Sequence, residues 1–207
     1  MSFDTKILLV ATTHKKKLAE LKTLLEDLPL QLISLSDSGP YREVSEDGKT
    51  FEENAGLKAS GYASQTGYLT LAEDSGLCCD ALEGAPGIYS ARFAGPGKND
   101  RENNLKVLKL LEKVPDNCRG AQFVSAVALS EPGKVIGAVR GSVHGIISRE
   151  IRGSQGFGYD PIFYFPPFGK TFGEVPPEMK HRVSHRAQAL QKTQKMLREY
   201  LENKAGP

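Results

Sequence analysis

Three acidic residues, Glu46, Glu73 and Asp74, stand where chemistry with a hard cation is possible. Glu73 and Asp74 follow an apolar run, Tyr68 to Ala72, and a buried charge costs several kcal/mol unless it is paired, hydrogen-bonded or metal-bound. Two adjacent carboxylates after such a run need a partner. Mg2+ takes oxygen ligands, usually one or two carboxylates completed by water and substrate phosphates, so this pair with Glu46 from VSEDGKTFEEN would suffice. Taken singly, Glu46 reads equally well as a solvated loop acid, whereas the pair is harder to explain that way.

A basic set accompanies the acids. Lys15, Lys16 and Lys17 fall where a strand passes into a helix, and a helix N-terminus is itself a phosphate site. The segment ATTHKKK lacks the glycines and the terminal Lys-Ser/Thr of a P-loop, so that reading fails. Lys58 follows Asn54 by one helical turn. In GSQGFGYDPIFYFP, glycines allow a loop to present Phe157 as a flat face for base stacking, worth about 1–3 kcal/mol, with Tyr159 beneath the loop or beside it and Asp160 before Pro161. In EMKHRVSHRAQAL, Ser184 is an N-cap that puts His185 and Arg186 in a first turn, where cations are disfavoured unless an anion or acceptor is near.

The elements that must position these residues read as an α/β core. KILLVAT is a buried strand, and Leu18, Leu21, Leu24, Leu25 and Leu28 recur at helical spacing after it. LQLISL is a second strand. Thr50 to Glu53 fits a capping box, and Phe51, Ala55, Ala59, Tyr62 and Ala63 give the next helix a small-residue face suited to close approach to a sheet. Tyr68 to Ala72 predicts a strand with Glu73 and Asp74 at its carboxyl end, where ligands gather in parallel sheets. Asp100 is the predicted cap of a helix carrying Leu105, Leu108 and Leu111; AQFVSAVALS, KVIGAVRGSV and GIISREI follow as strands of an antiparallel meander. A last helix carries Ala187, Leu190, Met196, Leu197 and Leu201, with ENKAGP a frayed tail.

Lys+Arg 27 against Asp+Glu 25 leaves a formal charge of +2, so net charge gives no support to nucleic-acid binding. No membrane span or signal peptide is visible, which predicts a cytoplasmic protein. Cys78, Cys79 and Cys118 form no CxxC pair and read as reduced packing residues.

The stretches FEENAGLKA, AEDSGL, GAPGIYSARFAG, GFGYDPIF and SHRAQAL, in this order and spacing, resemble the inosine triphosphate pyrophosphatase family of dITP/XTP pyrophosphatases, from about Ile7 to Leu197. The resemblance implies an elongated, two-lobed α/β fold, a single domain over residues 1–207, with a central mixed β-sheet flanked by helices and the active site in the cleft between lobes. It implies hydrolysis of ITP, dITP and XTP to monophosphate and pyrophosphate with Mg2+, by a homodimer. Asp74 matches the catalytic and metal position, Glu46 the loop metal ligand, and Ser75 a substrate contact. Whether Glu73 joins the metal's outer shell stays open. Thr12, Thr13, His14, Lys17 and Lys58 match the triphosphate contacts; Phe157, Gly158, Tyr159 and Asp160 the base-holding loop; Lys180, His185 and Arg186 the purine-recognition residues.

One departure stands out: after Ala11-Thr12 the family commonly has Gly-Asn, where this chain has Thr13-His14. That change restricts the backbone and alters the donors near the triphosphate. Other readings carried alongside are a nucleotide-binding protein with little turnover, a pyrophosphatase for other modified nucleoside triphosphates, and an RNA-binding protein, for which the near-neutral charge is a poor match.

Overall fold

The computed structural model describes residues 6–12 and 15–205, with the side chains of residues 15, 16, 17, 20 and 205 outside the description. The elements run β1 (Lys6–Val10), α1 (Lys15–Leu24), β2 (Leu30–Ser34), α2 (Phe51–Thr66), β3 (Leu69–Cys79), α3 (Asp100–Leu110), β4 (Gly120–Glu131), β5 (Lys134–Ile147), β6 (Phe163–Phe165), β7 (Lys170–Thr171), α4 (Pro177–Val183) and α5 (His185–Ala205). Among the described residues they build one mixed sheet of seven strands in the order β2-β1-β3-β4-β5-β6-β7. β1 pairs in parallel with β2 and β3, as the alternating strand and helix pattern predicts, and β6 pairs antiparallel with β5 and β7. β4 and β5 are joined by a tight turn in which Gly133 takes φ 77°.

The chain divides into two compact units. The first comprises residues up to Asp74, Ala126–Arg140 and the chain from Ala189 onward. Its core joins Leu8 and Val10 of β1, Leu21 of α1 and Leu25 just after it, Leu69 and Leu71 of β3, and Leu190, Leu197 and Tyr200 of α5. Truncating a buried leucine such as Leu71, 2% exposed, costs about 2–5 kcal/mol, so these contacts fix the strand that leads to Asp74. α2 buries Phe51, Ala55, Ala59, Tyr62 and Ala63, the face its sequence predicts, together with Asn54. Gly61 has no room for a Cβ, which would come within 2.7 Å of Val44.

The second unit comprises Ser75–Ser125 and Gly141–Gln188. Its core is aromatic: Phe123, Phe163 and Phe172 pack with Tyr159, Ile162 and Leu77. Within it the buried Arg119 donates to the carbonyls of Leu111, Ile147 and Ser148, tying the chain after α3 to the end of β5 without a carboxylate in direct contact.

Several sequence expectations are corrected. β3 does not end at Ala72 but continues to Cys79, so Glu73 and Asp74 lie inside the strand; β1 stops at Val10, paired with Leu71, while β3 continues beside β4. Asn99 caps α3, because its side chain accepts from the Glu102 N–H, which leaves the Asp100 carboxylate to bond elsewhere. Leu105 is exposed, and Asn103, Asn104 and Val107 are the buried residues of α3. KVIGAVRGSV and GIISREI form one strand as far as Ile147, and α5 continues to Ala205 through most of the tail read as frayed. Cys79 is buried, its thiol pushed up to about 12 by burial, but Cys118 is exposed and packs no core.

Candidate functional site

The acidic set is assembled on one face of α2. Thr50 caps the helix by accepting from the Glu53 N–H at 3.1 Å, and the Glu53 carboxylate takes the Lys49 N–H at 2.6 Å, one residue earlier than a capping box. These bonds hold the loop that carries Glu46 against the helix start. One turn further along α2, Lys58 reaches back to Glu46 Oε1 at 2.6 Å and lies 3.5 Å from the carbonyl of Glu73. Asn54, four residues before Lys58 and so on the same face, donates from Nδ2 to Asp74 Oδ2 at 3.1 Å and accepts the Gly48 N–H at 2.8 Å. Glu46 with Lys58 and Asn54 with Asp74 thus form two hydrogen-bonded pairs on neighbouring turns of α2 within the first unit.

Because neighbouring strand residues point to opposite faces, Glu73 turns its side chain away from the face that Asp74 presents to Asn54. Among the described residues no group of three or more His, Cys, Asp or Glu makes a ready metal cage. Glu46 and Asp74 nevertheless fit the donor set of Mg2+, which needs few protein carboxylates and draws its other oxygens from water and phosphate. Thr12 is half-buried just beyond β1, its N–H on the Val10 carbonyl at 2.7 Å. Thr13 and His14 lie outside the described residues; Lys17 belongs to α1, with its side chain outside the description.

In the second unit the loop carrying Phe157 to Asp160 and α4 converge. The Asp160 carboxylate, 1% exposed, accepts at Oδ2 from both the Lys180 ammonium at 2.6 Å and the Phe157 N–H at 2.9 Å. Burial pushes its carboxyl up, against the opposite pull of Lys180 and that N–H. Phe157 is 65% exposed, and Lys180 lies 4.5 Å from its ring centroid. One carboxylate therefore fixes an exposed aromatic face and a buried cation side by side. Gly158 takes φ 60°; its N–H bonds Asp100 Oδ2 at 2.7 Å and its carbonyl accepts from Asn104 at 2.8 Å, anchoring the loop to the start of α3. Gly156 has no room for a Cβ, which would meet the Asp160 carboxylate.

Tyr159 is buried in the aromatic core with its hydroxyl donating to the Ser90 carbonyl at 2.8 Å, so its ring supports the loop from beneath, and burial pushes the pKa of its phenol up. Ser184 accepts the Ala187 N–H at 3.2 Å as the predicted cap. His185, buried, stacks on Phe123 with centroids 4.9 Å apart and planes 19° from parallel, and Arg186 follows in the same first turn. Ser75 is half-buried in β3, next to Asp74.

Sequence reasoning missed Asn54. Its signal was a polar residue interrupting the small-residue face between Phe51 and Ala55, one turn before Lys58.

The family model described as "Ham1 family" matches residues 8–196. A dITP/XTP pyrophosphatase of Desulforamulus reducens is 48% identical over 190 residues, covering 92% of this chain and 94% of that protein. One of Geobacter sulfurreducens is 50% identical over 183 residues, covering 88% and 92%. The Staphylococcus aureus Ham1 protein structure superposes with a TM-score of 0.87 at 38% identity, over 94% of this chain and 100% of that one.

Proposed function

The chain belongs to the Ham1 family, and on that footing we propose that it hydrolyses dITP, ITP and XTP to the monophosphate and pyrophosphate, clearing non-standard purines from the nucleotide pool. The observation that carries this reading is the convergence of Glu46, Lys58 and Asp74 on one face of α2, a carboxylate and cation set suited to a triphosphate. Glu46 and Asp74 would hold Mg2+, which when bound supplies charge neutralisation at the phosphates. Asp74 orients the attacking water and takes its proton while the new bond to the α-phosphorus forms. The bond from the α-phosphorus to the bridging oxygen breaks, that oxygen departs with the β-phosphorus as part of pyrophosphate, and the growing charge is met by Lys58 and Lys17.

For the base, Phe157 offers a stacking face and Lys180 a donor toward the C6 oxygen of hypoxanthine or xanthine, with His185 and Arg186 nearby in sequence at the start of α5. Adenine carries an amino donor there and would set donor against donor at that ammonium, whose remaining N–H would find no acceptor on the base, a mismatch that can discriminate by roughly 10⁴-fold. The same reading includes a homodimer, for which the exposed Tyr89 is a suitable contact, and residence in the cytoplasm; no helix among the described residues is long and apolar enough to cross a membrane.

The test is pyrophosphate release from ITP, dITP, XTP, ATP and GTP with Mg2+ and with EDTA. Metal-dependent turnover of the first three is expected. Asp74→Asn should keep the fold and lose at least about 10³-fold in kcat. Nucleotide binding without turnover would leave a binding protein of this fold, and turnover of other modified triphosphates alone would move the substrate class. Light scattering of the purified protein checks the dimer.

A further inference from the structure

We infer that Asn54 is a positioning residue for the metal-and-phosphate end of the site, locking the Asp74 carboxylate and the Glu46 loop to a single helix. This rests on the metal reading of Glu46 and Asp74. Asn54 is 2% exposed, and both ends of its amide are engaged: Oδ1 accepts the Gly48 N–H at 2.8 Å, and Nδ2 donates to Asp74 Oδ2 at 3.1 Å. The partners force that orientation, since a backbone N–H only donates and an ionised carboxylate only accepts. Gly48 lies two residues after Glu46, so one side chain ties the loop ligand and the strand ligand together.

No other side chain does both jobs from this position. Asp has acceptors only and would set carboxylate against carboxylate. Ser holds one hydroxyl too close to the backbone to span loop and strand, and Gln adds a methylene where the contacts leave no slack. The loop is fitted to the amide from its own side as well: a Cβ on Gly48 would come within 2.7 Å of the Glu53 Cβ and 2.8 Å of Asn54 Oδ1, so only glycine permits this approach. Lys58 also reaches Glu46 from the same helix, its ammonium 3.5 Å from the Glu73 carbonyl. Asn54 bonds both the loop that carries Glu46 and the side chain of Asp74.

Groups that orient metal ligands typically change metal affinity about 10- to 100-fold when removed, whereas a merely structural buried amide changes folding stability alone. The experiment titrates Mn2+, as the metal alone, into wild type, Asn54→Ala and Asn54→Ser by calorimetry, after melting each protein in EDTA to select folded variants. The serine variant serves if the alanine variant does not fold. The expected result is a Kd for Mn2+ weakened at least about tenfold in either variant, with a matching rise in the half-saturating Mg2+ for ITP turnover and less than about twofold change in KM for ITP. In an Asp74→Asn background, Asn54→Ala should weaken Mn2+ binding less than it does in wild type, because only the bond to the Glu46 loop is then left to lose. An unchanged Mn2+ Kd with a lowered melting temperature in EDTA overturns the inference and leaves the metal reading standing. A wild-type protein that takes up no Mn2+ sinks the metal reading, and this inference with it.

Discussion

Lys58 meets Glu46 and Lys180 meets Asp160 at the same 2.6 Å, but the first pair is 19% and 33% exposed and the second 9% and 1%. Distance alone would equate them; water separates them. A partly solvated pair contributes about 0–1 kcal/mol and can change partners, because water compensates whichever charge is released. A desolvated pair cannot: removing one partner strands the other in a medium that does not solvate it. The α2 pair is therefore suited to a site where Glu46 and Lys58 must part to meet a cation and a phosphate. The loop pair is suited to holding a recognition geometry fixed, with Asp160 also gripping the Phe157 backbone.

Breaking the dry pair should produce the largest effect. Asp160→Asn leaves Lys180 buried and unpaired and is expected to cost about 3–5 kcal/mol, a fall in melting temperature of roughly 10 °C for a chain of this length. Thermal melts decide it; a shift under about 2 °C would mean that water reaches Lys180. Next in size, Lys58→Ala should lower kcat/KM for ITP and ATP alike by about 10²–10³-fold, since it touches phosphate chemistry common to both. Lys180→Met should instead erode the ITP-to-ATP ratio of kcat/KM by about tenfold or more, and steady-state kinetics on both substrates separates the two lysines. Glu46→Gln should shift the melt by no more than about 2–4 °C in EDTA, reading the pair's worth without metal.

A third acid gives the smallest effect and calibrates the wet end of the scale. Glu131 accepts from the Tyr200 hydroxyl at 2.6 Å and pairs with Lys204, and these hold its carboxyl below the usual range, the tyrosine bond first. A lowered folded value means stability that is present above the ordinary carboxylate range near pH 4 and lost as pH falls through the folded value. Glu131→Gln should lower the melting temperature by about 1–3 °C at pH 7, with the gap closing below about pH 4. A gap that persists at pH 3 would assign the effect to packing.

The difference between wet and dry was not legible in the sequence. Lys58 and Lys180 both read as helix lysines near acids, and only the packing of α4 against the aromatic core distinguishes the second. Periodicity found the buried faces of α1, α2 and α5 because their apolar residues pack into cores that include the side chains of β1. It failed on α3, whose buried residues include two asparagines that bond loops, a use no hydrophobic pattern reports. Phe157, Asp160 and Lys180 stand out in the sequence through their motifs, but the shared Oδ2 that joins them does not, since long-range pairing leaves no local trace. The end of β3 was misplaced because polar residues inside a strand look like its terminus.

That uninterrupted strand has a consequence for how the chain tolerates change in length. A loop can absorb an inserted or deleted residue by bulging, but β3 carries Asp74 between Leu71, fixed opposite Val10, and Leu77, bonded to Ser90. One residue added or lost between Leu71 and Asp74 would turn the chain over beyond that point, presenting the neighbour of Asp74 to Asn54 while leaving composition and charge almost untouched. The Asp74 carboxylate is thus placed by counting: its position depends on how many residues precede it along the strand as much as on which residue it is.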